Sequence, residues 1–423
     1  MISPESIFII ITIIICFNYL LDRFLDYLNS KRWSKSLPAE LAGIYDAEKY
    51  EKSQRYLKVN NKFGQISGGF SFLIMLLMLF LGGFAVVDSW TVLISANVIV
   101  SALVFFGILA FASDLLSLPF SLYHVFVIEQ NFGFNRTSGF TFLMDKIKGW
   151  LLGLLIGGGI GALVIWIYTL SENWFWLIAW AVVTAFMIFM NMFYSSLIVP
   201  LFNKQTPLPE GELRTAIEDF SMNVGFKLAN IYVIDGSKRS RKANAYFAGL
   251  GPRKRIVLYD TLINDHTVPE LVAVLAHEIG HYKKKHTLNG LLISVAETGL
   301  MLYLLGLFLS LPEISMALGG KAASFHMGAL GFALLYSPFS MLLSLATNYI
   351  SRKHEYAADR YAGTHYDAEA LKSALKKLSV NNLSNLNPHP AYVFFHYSHP
   401  TLLQRLKALD TVAPNQTGSL KSS

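Results

Sequence analysis

Seven apolar stretches, each near 20 residues or longer, constrain this chain more than any other feature of its sequence. They fall at residues 4–21, 66–87, 92–118, 149–170, 174–200, 288–311 and 326–349. An α-helix needs about 20 apolar residues to cross the hydrocarbon core of a bilayer. Only 15% of the residues are charged, whereas soluble domains carry about 25%. The stretches are therefore interpreted as seven membrane-spanning helices.

The basic residues between these stretches predict the orientation. Residues 22–64 contain nine Lys and Arg, and residues 119–148 contain three. The short connections at 88–91 and 171–173 contain none. Since cytoplasmic loops carry an excess of Lys and Arg, we expect the N-terminus outside and the two basic loops in the cytoplasm.

Four features are disfavoured by the sequence: a disulfide framework, a thiolate metal site, nucleic-acid binding and a cleaved signal peptide. The single cysteine, Cys16, lies in an apolar run, which excludes a disulfide framework and a thiolate metal site. The net charge of +7 arises between apolar segments, so that nucleic-acid binding is not expected. Residues 4–21 follow no basic start, so we expect an uncleaved first span instead of a signal peptide.

The polar segments between and after the spans predict the remaining organisation. The expected order is 1–202 with five spans and cytoplasmic loops 22–64 and 119–148; 203–288 as a cytoplasmic-side α+β part; 289–350 with spans six and seven; 351–410 as the second part of the same domain; and 411–423 as a disordered tail. Short strands are predicted at 231–234, 244–248 and 255–259. The amphipathic pattern predicts a helix at 210–225, after a linker that contains Pro207.

A His-Glu-x-x-His motif lies in the α+β part. His277 and His281 are four residues apart in a helix-favouring run, so both side chains lie on one helix face and can bind one metal ion. Glu278 lies about 100° around the helix and can act as a general base toward an attacking water. We expect this helix to begin near residue 268 and to continue past Lys283 into the sixth span.

Topology supplies a third ligand. Spans six and seven form a hairpin, so His281 before the hairpin and Glu355 after it should both lie near the cytoplasmic face. Two His and one Glu with an open fourth position are typical of a catalytic zinc site. Asp359, on the same helix face, could accept a hydrogen bond from a ligand imidazole. The alternative for both carboxylates is an exposed helix face, paired with Arg352 or Arg360.

Several further motifs accompany the metal motif. They are Phe126-Val127-Ile128-Glu129, Gly133-Phe134-Asn135, Asn244-Ala245-Tyr246-Phe247 before the motif helix, the Glu355-x-x-x-Asp359 element after span seven, and Ser398-His399-Pro400 with Arg405. In these motifs the chain resembles the CAAX prenyl protease type I family of integral-membrane zinc metalloproteases, and the resemblance covers nearly the whole chain.

This resemblance implies a mainly α, polytopic membrane protein. Its seven helices would enclose a chamber, closed by a small cytoplasmic-side α+β domain. It implies that one Zn²⁺ is bound by His277, His281 and Glu355, with Glu278 activating the water. It also implies that Asn244 and Ala245 lie on an edge strand that pairs with the substrate backbone. By the same resemblance, His399 stabilises the oxyanion or orients the substrate, and Arg405 contributes to substrate binding.

The expected function is that of a membrane-embedded zinc endopeptidase for peptide or protein substrates, prenylated CAAX peptides among them. One alternative is a quality-control metalloprotease of the heat-shock type; a remote one is a carrier or receptor with two buried histidines. The sequence ends without an evident retrieval signal and has no long insertions, which favours a bacterial inner membrane over the endoplasmic reticulum. The cleavage position and the oligomeric state do not follow from the sequence.

Overall fold

The structure is a computed structural model that describes residues 2–33, 43–44, 46–226, 231–249 and 255–412. Its first half consists of helices, some of them extended by one or two wider turns. They are α1 (Pro4–Ser30), α2 (Ala47–Phe80), α3 (Gly83–Ile94), α4 (Val98–Tyr123), α5 (Gly139–Leu152), α6 (Gly158–Leu170), α7 (Phe175–Leu197) and α8 (Val199–Phe202).

A sheet of four strands and three helices follow. They are β1 (Gln205–Pro207), α9 (Glu212–Asn223), β2 (Ile231–Ile234), β3 (Ala245–Ala248), β4 (Arg255–Tyr259), α10 (Asp260–Asp265) and α11 (Val268–Lys283). The chain then forms α12 (His286–Leu309), α13 (Pro312–Ala317), α14 (Phe325–His365), α15 (Ala368–Asn381), α16 (Pro390–His396) and α17 (Leu402–Asp410).

Seven helices in the described part of the chain are long and apolar enough to cross a membrane. They are Pro4–Ser30, Ala47–Phe80, Val98–Glu129, Gly139–Leu170, Phe175–Phe202, His286–Leu309 and Phe325–His365. This confirms the predicted seven spans and the mainly α, polytopic fold.

The second span ends earlier than its apolar pattern predicts. The expected connection at 88–91 is helical, because it belongs to α3, and the chain instead turns at Gly82 with φ of 67°. A left-handed backbone of this kind favours glycine. The apolar run continues through the turn, so that hydropathy alone does not reveal the break.

Several spans continue beyond their apolar stretches. Helix α1 runs on to Ser30, and α2 begins at Ala47, where the Asp46 side chain caps the helix. The predicted loop 22–64 is therefore helical over 22–30 and 47–64, and the predicted loop 119–148 narrows to the turn between Glu129 and Gly139. The predicted tail, 411–423, lies outside the described residues except for 411–412.

The sheet has the strand order β1-β2-β4-β3. Strands β2 and β4 pair in parallel, while β1 and β3 join them antiparallel. The strands at 231–234 and 255–259 agree with the prediction, and β3 begins one residue later than predicted. The predicted linker that contains Pro207 is instead strand β1 at the edge of the sheet, where a proline is tolerated.

Helix α11 carries the metal motif and is capped on both sides. Thr267 and Glu270 form a capping box at its start, where Pro269 occupies the first turn. It ends at Lys283 with Lys284 as its C-cap, and Lys285 adopts a left-handed φ of 58° before α12 begins. The prediction that this helix runs straight into the sixth span is therefore wrong, because the left-handed residue ends the helical hydrogen-bonding pattern.

The apolar face of α11 lies at the centre of the hydrophobic core of the α+β part. Leu275 and Ile279 are fully buried in a cluster with Leu258 of β4 and Ala362 of α14. Gly280 lets α11 approach α14 closely, since a methyl group at this position would lie 3.2 Å from the carbonyl oxygen of Ala358. The residues after span seven thus fold onto the residues before span six.

Glu270 links the start of α11 to α15. It is buried and accepts hydrogen bonds from the Thr267 N–H at 2.8 Å, the Ser373 hydroxyl at 2.6 Å and Lys377 Nζ at 2.8 Å. Burial alone would raise the pKa of Glu270, but these hydrogen bonds lower it to about 2.

This lowered pKa predicts an acid-sensitive contribution to stability. A carboxylate whose folded-state pKa is depressed stabilises the fold above its unfolded value of about 4.5 and loses that contribution as the pH falls toward about 2. We expect Glu270→Gln to lower the free energy of unfolding at pH 7 by about 3 kcal/mol. The deficit relative to wild type should shrink below about pH 4, as measured by denaturation in detergent. Glu369→Gln, at an exposed carboxylate of α15, is the control and should follow the wild-type curve; an equal deficit at pH 3 and pH 7 would contradict the assignment.

Candidate metal centre

Two imidazoles from α11 face each other at the end of the motif helix. His277 Nε2 and His281 Nε2 lie 3.1 Å apart. His277 is buried and His281 is half-buried. The spacing of four residues places both rings on one face, as one turn of helix requires.

Glu355 of α14 completes a group of three donors. Its Oε1 lies 3.2 Å from His281 Nε2, and its Oε2 lies 3.6 Å from His277 Nε2. One ligand atom from each residue lies within 4.8 Å of the others. Arg352, the alternative partner considered for this carboxylate, instead donates to the Tyr397 carbonyl at 2.6 Å.

The chemistry of this group fits a divalent metal ion. Tetrahedral zinc bound at about 2.0–2.1 Å separates neighbouring ligand atoms by about 3.3 Å, close to the distances observed here. Glu355 is only 4% exposed, and its Oε2 has no hydrogen-bond partner among the described residues. Arg405 Nη1 lies 3.5 Å away without forming a hydrogen bond to it. A buried carboxylate oxygen left in this state is stabilised by a cation.

Asp359 orients the first imidazole. It is 1% exposed and lies 2.9 Å from His277 Nδ1, so that Nδ1–H donates to the carboxylate and Nε2 is left with a free lone pair. Arg405 holds Asp359 in turn, with Nε at 2.8 Å and Nη2 at 2.6 Å from its two oxygens. These contacts place Arg405 behind the three donors, and a role for it in substrate binding stays a prediction.

The charges around His281 favour a cation. Burial alone would lower the pKa of His281, but the hydrogen bond to Glu355 and the negative charges of Glu355 and Glu278 raise it above the ordinary value. The same negative potential that holds a proton on an imidazole also attracts a metal ion.

Glu278 and His399 share a cavity with the donor group. The cavity has a volume of about 530 Å³, and Glu278, His281, Glu355 and His399 all line it. His399 is exposed, with Nε2 3.4 Å from Glu355 Oε1. Its Nδ1 lies 2.9 Å from the Ser398 hydroxyl, which fixes the ring. The structure therefore brings both predicted catalytic side chains to the predicted ligands.

Strand β3 is an edge of the sheet as far as the structure describes it. Asn244 directly precedes the strand, and its carbonyl accepts a hydrogen bond from the Tyr259 N–H at 3.1 Å. Ala245 pairs with Leu258 of β4. Phe247, on the same strand, lines the cavity, so the edge runs beside the metal centre.

Two histidines near the centre were not predicted. His286 Nδ1 lies 3.1 Å from His281 Nδ1, and the rings of His286 and His354 stack with centroids 3.9 Å apart. His286 follows His281 by five residues, a spacing that leaves the helix face of the motif. Only the left-handed turn at Lys285 returns it to the site.

A second unpredicted cluster ties the membrane helices to the edge strand. Glu129 follows α4, and its two oxygens accept hydrogen bonds from Tyr56 of α2 at 2.6 Å and from Lys242 at 2.8 Å. Lys242 Nζ also lies 2.9 Å from the Tyr56 hydroxyl. Glu129 belongs to the motif at 126–129. The contact with Lys242 places this motif beside the segment that directly precedes β3.

Two family profiles together match nearly the whole chain. Residues 26–204 match the profile described as "CAAX prenyl protease N-terminal, five membrane helices". Residues 207–413 match the profile of peptidase family M48. The boundary between the profiles falls at the start of the sheet.

Curated proteins and one solved structure agree with these profiles. The chain is 36% identical to the CAAX prenyl protease 1 homolog of Oryza sativa subsp. japonica, over 94% of this chain and 96% of that protein. It is 35% identical to CAAX prenyl protease 1 of Saccharomyces cerevisiae, over 92% and 93%, and 33% identical to the human homolog, over 89% of each chain. The crystal structure of S. mikatae Ste24p matches with a TM-score of 0.91 and 34% identity, covering 96% of this chain and 99% of that one. The chain therefore belongs to the CAAX prenyl protease 1 family of M48 peptidases and is a multi-pass membrane metalloendopeptidase.

Proposed function

We propose that the chain binds one zinc ion through His277, His281 and Glu355 and that Glu278 is the general base of peptide hydrolysis. The observation that carries this proposal is the convergence of three donor atoms within 4.8 Å of one another, with a buried Glu355 oxygen that has no hydrogen-bond partner in the described part of the chain. Two of the three donors, His281 and Glu355, line one cavity together with Glu278.

The side chains around the centre suit the steps of hydrolysis. When bound, zinc supplies Lewis-acid polarisation of the scissile carbonyl and lowers the pKa of water to about 7. Glu278 takes the proton of the attacking water and returns it to the leaving amine. Asp359 keeps the proton of His277 on Nδ1, and Arg405 holds Asp359. His399, whose ring is fixed by Ser398, offers a donor to the oxyanion.

The substrate backbone is proposed to pair with β3. The strand is an edge in the described sheet and lies beside the cavity. An extended peptide can add to such an edge through main-chain hydrogen bonds. Asn244 and Ala245 would align the peptide so that its scissile bond reaches Glu278.

The proposed side of the active site is the cytoplasm, because three consecutive lysines, Lys283-Lys284-Lys285, lie between the motif helix and span six and basic residues at the end of a span favour the cytoplasmic side. The lack of long insertions in the sequence favours a bacterial inner membrane, with the endoplasmic reticulum as the eukaryotic alternative. A cysteine placed at Lys284 should react with an impermeant reagent only from the cytoplasmic side. Reaction from the opposite side alone would reverse the orientation.

Zinc content is the direct test of the proposed centre. We expect the purified full chain to contain about one equivalent of zinc. Chelation should abolish peptide cleavage, and added zinc should restore it. Full activity of a chelated, zinc-free chain would overturn the proposal.

A lipidated substrate is proposed from the names of the relatives, which describe CAAX prenyl proteases. Burial of a prenyl group would contribute about 0.8 kcal/mol for each CH₂ removed from water. We expect a farnesylated CAAX peptide to show a higher kcat/KM than the matched unmodified peptide. Equal values would favour a general membrane-protein protease with the same catalytic centre.

A further inference from the structure

Two rows of small or polar residues, with Ile293 and Ile350 beside them, extend the cavity away from the metal centre and along the membrane helices. Gly290, Ser294 and Glu297 of α12 line one side, at the three- and four-residue spacing of one helix face. Thr347 and Ser351 of α14 line the other side with the same spacing. The cavity is therefore a groove between spans six and seven, with the metal donors at one end.

Glu297 lies at the far end of this groove. It follows His286 by 11 residues in α12, which corresponds to about 16 Å along the helix axis. The opposite face of α12 packs on span five, where Trp180 donates to the Val295 carbonyl at 2.8 Å and covers Gly299. Since residues two positions apart point about 200° away from each other, Glu297 faces away from span five.

The Glu297 carboxylate makes no hydrogen bond or ion pair with any residue that the structure describes. The residues that line the groove include no Lys and no Arg. Glu297 also takes no part in a second metal site, because His277, His281 and Glu355 form the one candidate metal-binding group found among the described residues. An ionisable side chain within a membrane helix is costly and marks a binding or transport function.

We propose that Glu297 binds a cationic nitrogen of the peptide, an ammonium or a guanidinium, inside the groove. This inference rests on the proposed peptidase function. Two sources carry the same chemistry: a Lys or Arg side chain of the substrate, and the amine that hydrolysis frees and Glu278 protonates, after the cleaved product has moved along the groove to Glu297. An extended peptide advances about 3.3 Å per residue, so about five residues span the distance from the metal centre to Glu297.

The first arm of the test addresses the substrate side chain. Peptides that carry Lys or norleucine, which has the four-carbon chain of Lys without the ammonium, at successive positions on either side of the cut are compared by kcat/KM, with the zinc-loaded full chain in detergent. At the position that reaches Glu297, we expect Lys to be preferred by about tenfold or more. Glu297→Gln should bring the ratio close to one, and Glu297→Asp should retain part of it.

The second arm addresses the freed amine. The C-terminal cleavage product, with either a free or an acetylated amine, is added as an inhibitor. We expect the free amine to inhibit about tenfold more strongly, and Glu297→Gln should remove this difference. A preference in the first arm assigns the side chain as the ligand, and a preference in the second assigns the product amine.

A matched control is Glu313→Gln, in the first turn of α13 and outside the groove lining, which should keep every wild-type ratio. The proposal is overturned if wild type cleaves peptides but shows neither preference, or if Glu297→Gln keeps the preferences intact. Failure of the peptidase function itself looks different, because wild type would then cleave none of the peptides.

Discussion

Glu278→Gln is expected to lower kcat by about 10²- to 10⁴-fold, the contribution typical of a positioned general base. The amide has nearly the same size but cannot accept the proton of the attacking water. Glu278 is not one of the three converging donors, so the variant should bind as much zinc as wild type. Peptide cleavage and zinc content, measured on the same preparation, check both parts.

The control for this variant is Glu212→Gln, since Glu212 lies in the first turn of α9 and is exposed. It should show wild-type kcat and zinc content. Full activity of Glu278→Gln would remove Glu278 from the mechanism. Loss of zinc in Glu278→Gln would show instead that this carboxylate supports the metal.

Glu355→Ala is expected to lose zinc and, with it, peptide cleavage. The change removes one of three donors and leaves two imidazoles. Loss of a hydrogen-bonding partner behind a ligand already costs about 10- to 100-fold in metal affinity, so loss of the ligand itself should cost more. Zinc content after dialysis against a weak chelator is the measurement.

Asp359→Asn serves as a graded comparison for Glu355→Ala. The amide at position 359 still contacts His277 but no longer offers a carboxylate to Nδ1–H. We expect zinc affinity to fall by about 10- to 100-fold, less than in Glu355→Ala. If Glu355→Ala kept one equivalent of zinc through dialysis, Glu355 would not belong to the ligand set.

The sequence was sufficient for the membrane architecture because apolar length is a strong signal. Seven stretches predicted seven helices, and charge between them predicted an orientation. The ends of the helices were less accessible, because α1 and α2 continue into polar residues that keep helical geometry outside the apolar core. The turn at Gly82 escaped prediction because the residues on both sides are apolar.

The candidate site was predictable where the spacing of residues along one helix determines which side chains lie together. His277 and His281 follow from a four-residue helical repeat, and Asp359 follows from Glu355 in the same way. Glu355 needed one topological step, the hairpin of spans six and seven. His286 and His354 could not be found in this manner, since their stacking depends on a left-handed Lys285. The contact of Glu129 with Lys242 likewise joins two distant segments that no local pattern relates.

The close approach of α11 and α14 at Gly280 fixes the distance between the ligands that the two helices carry. His281, the next residue along α11, and Glu355, one turn before the contacted Ala358, stand on the two helices that this glycine brings together. An added methyl group would force the helices apart by a few tenths of an ångström. Metal–ligand distances vary by only about 0.2 Å for a given ion. The distance between α11 and α14 therefore determines the size of the ion that the site accepts.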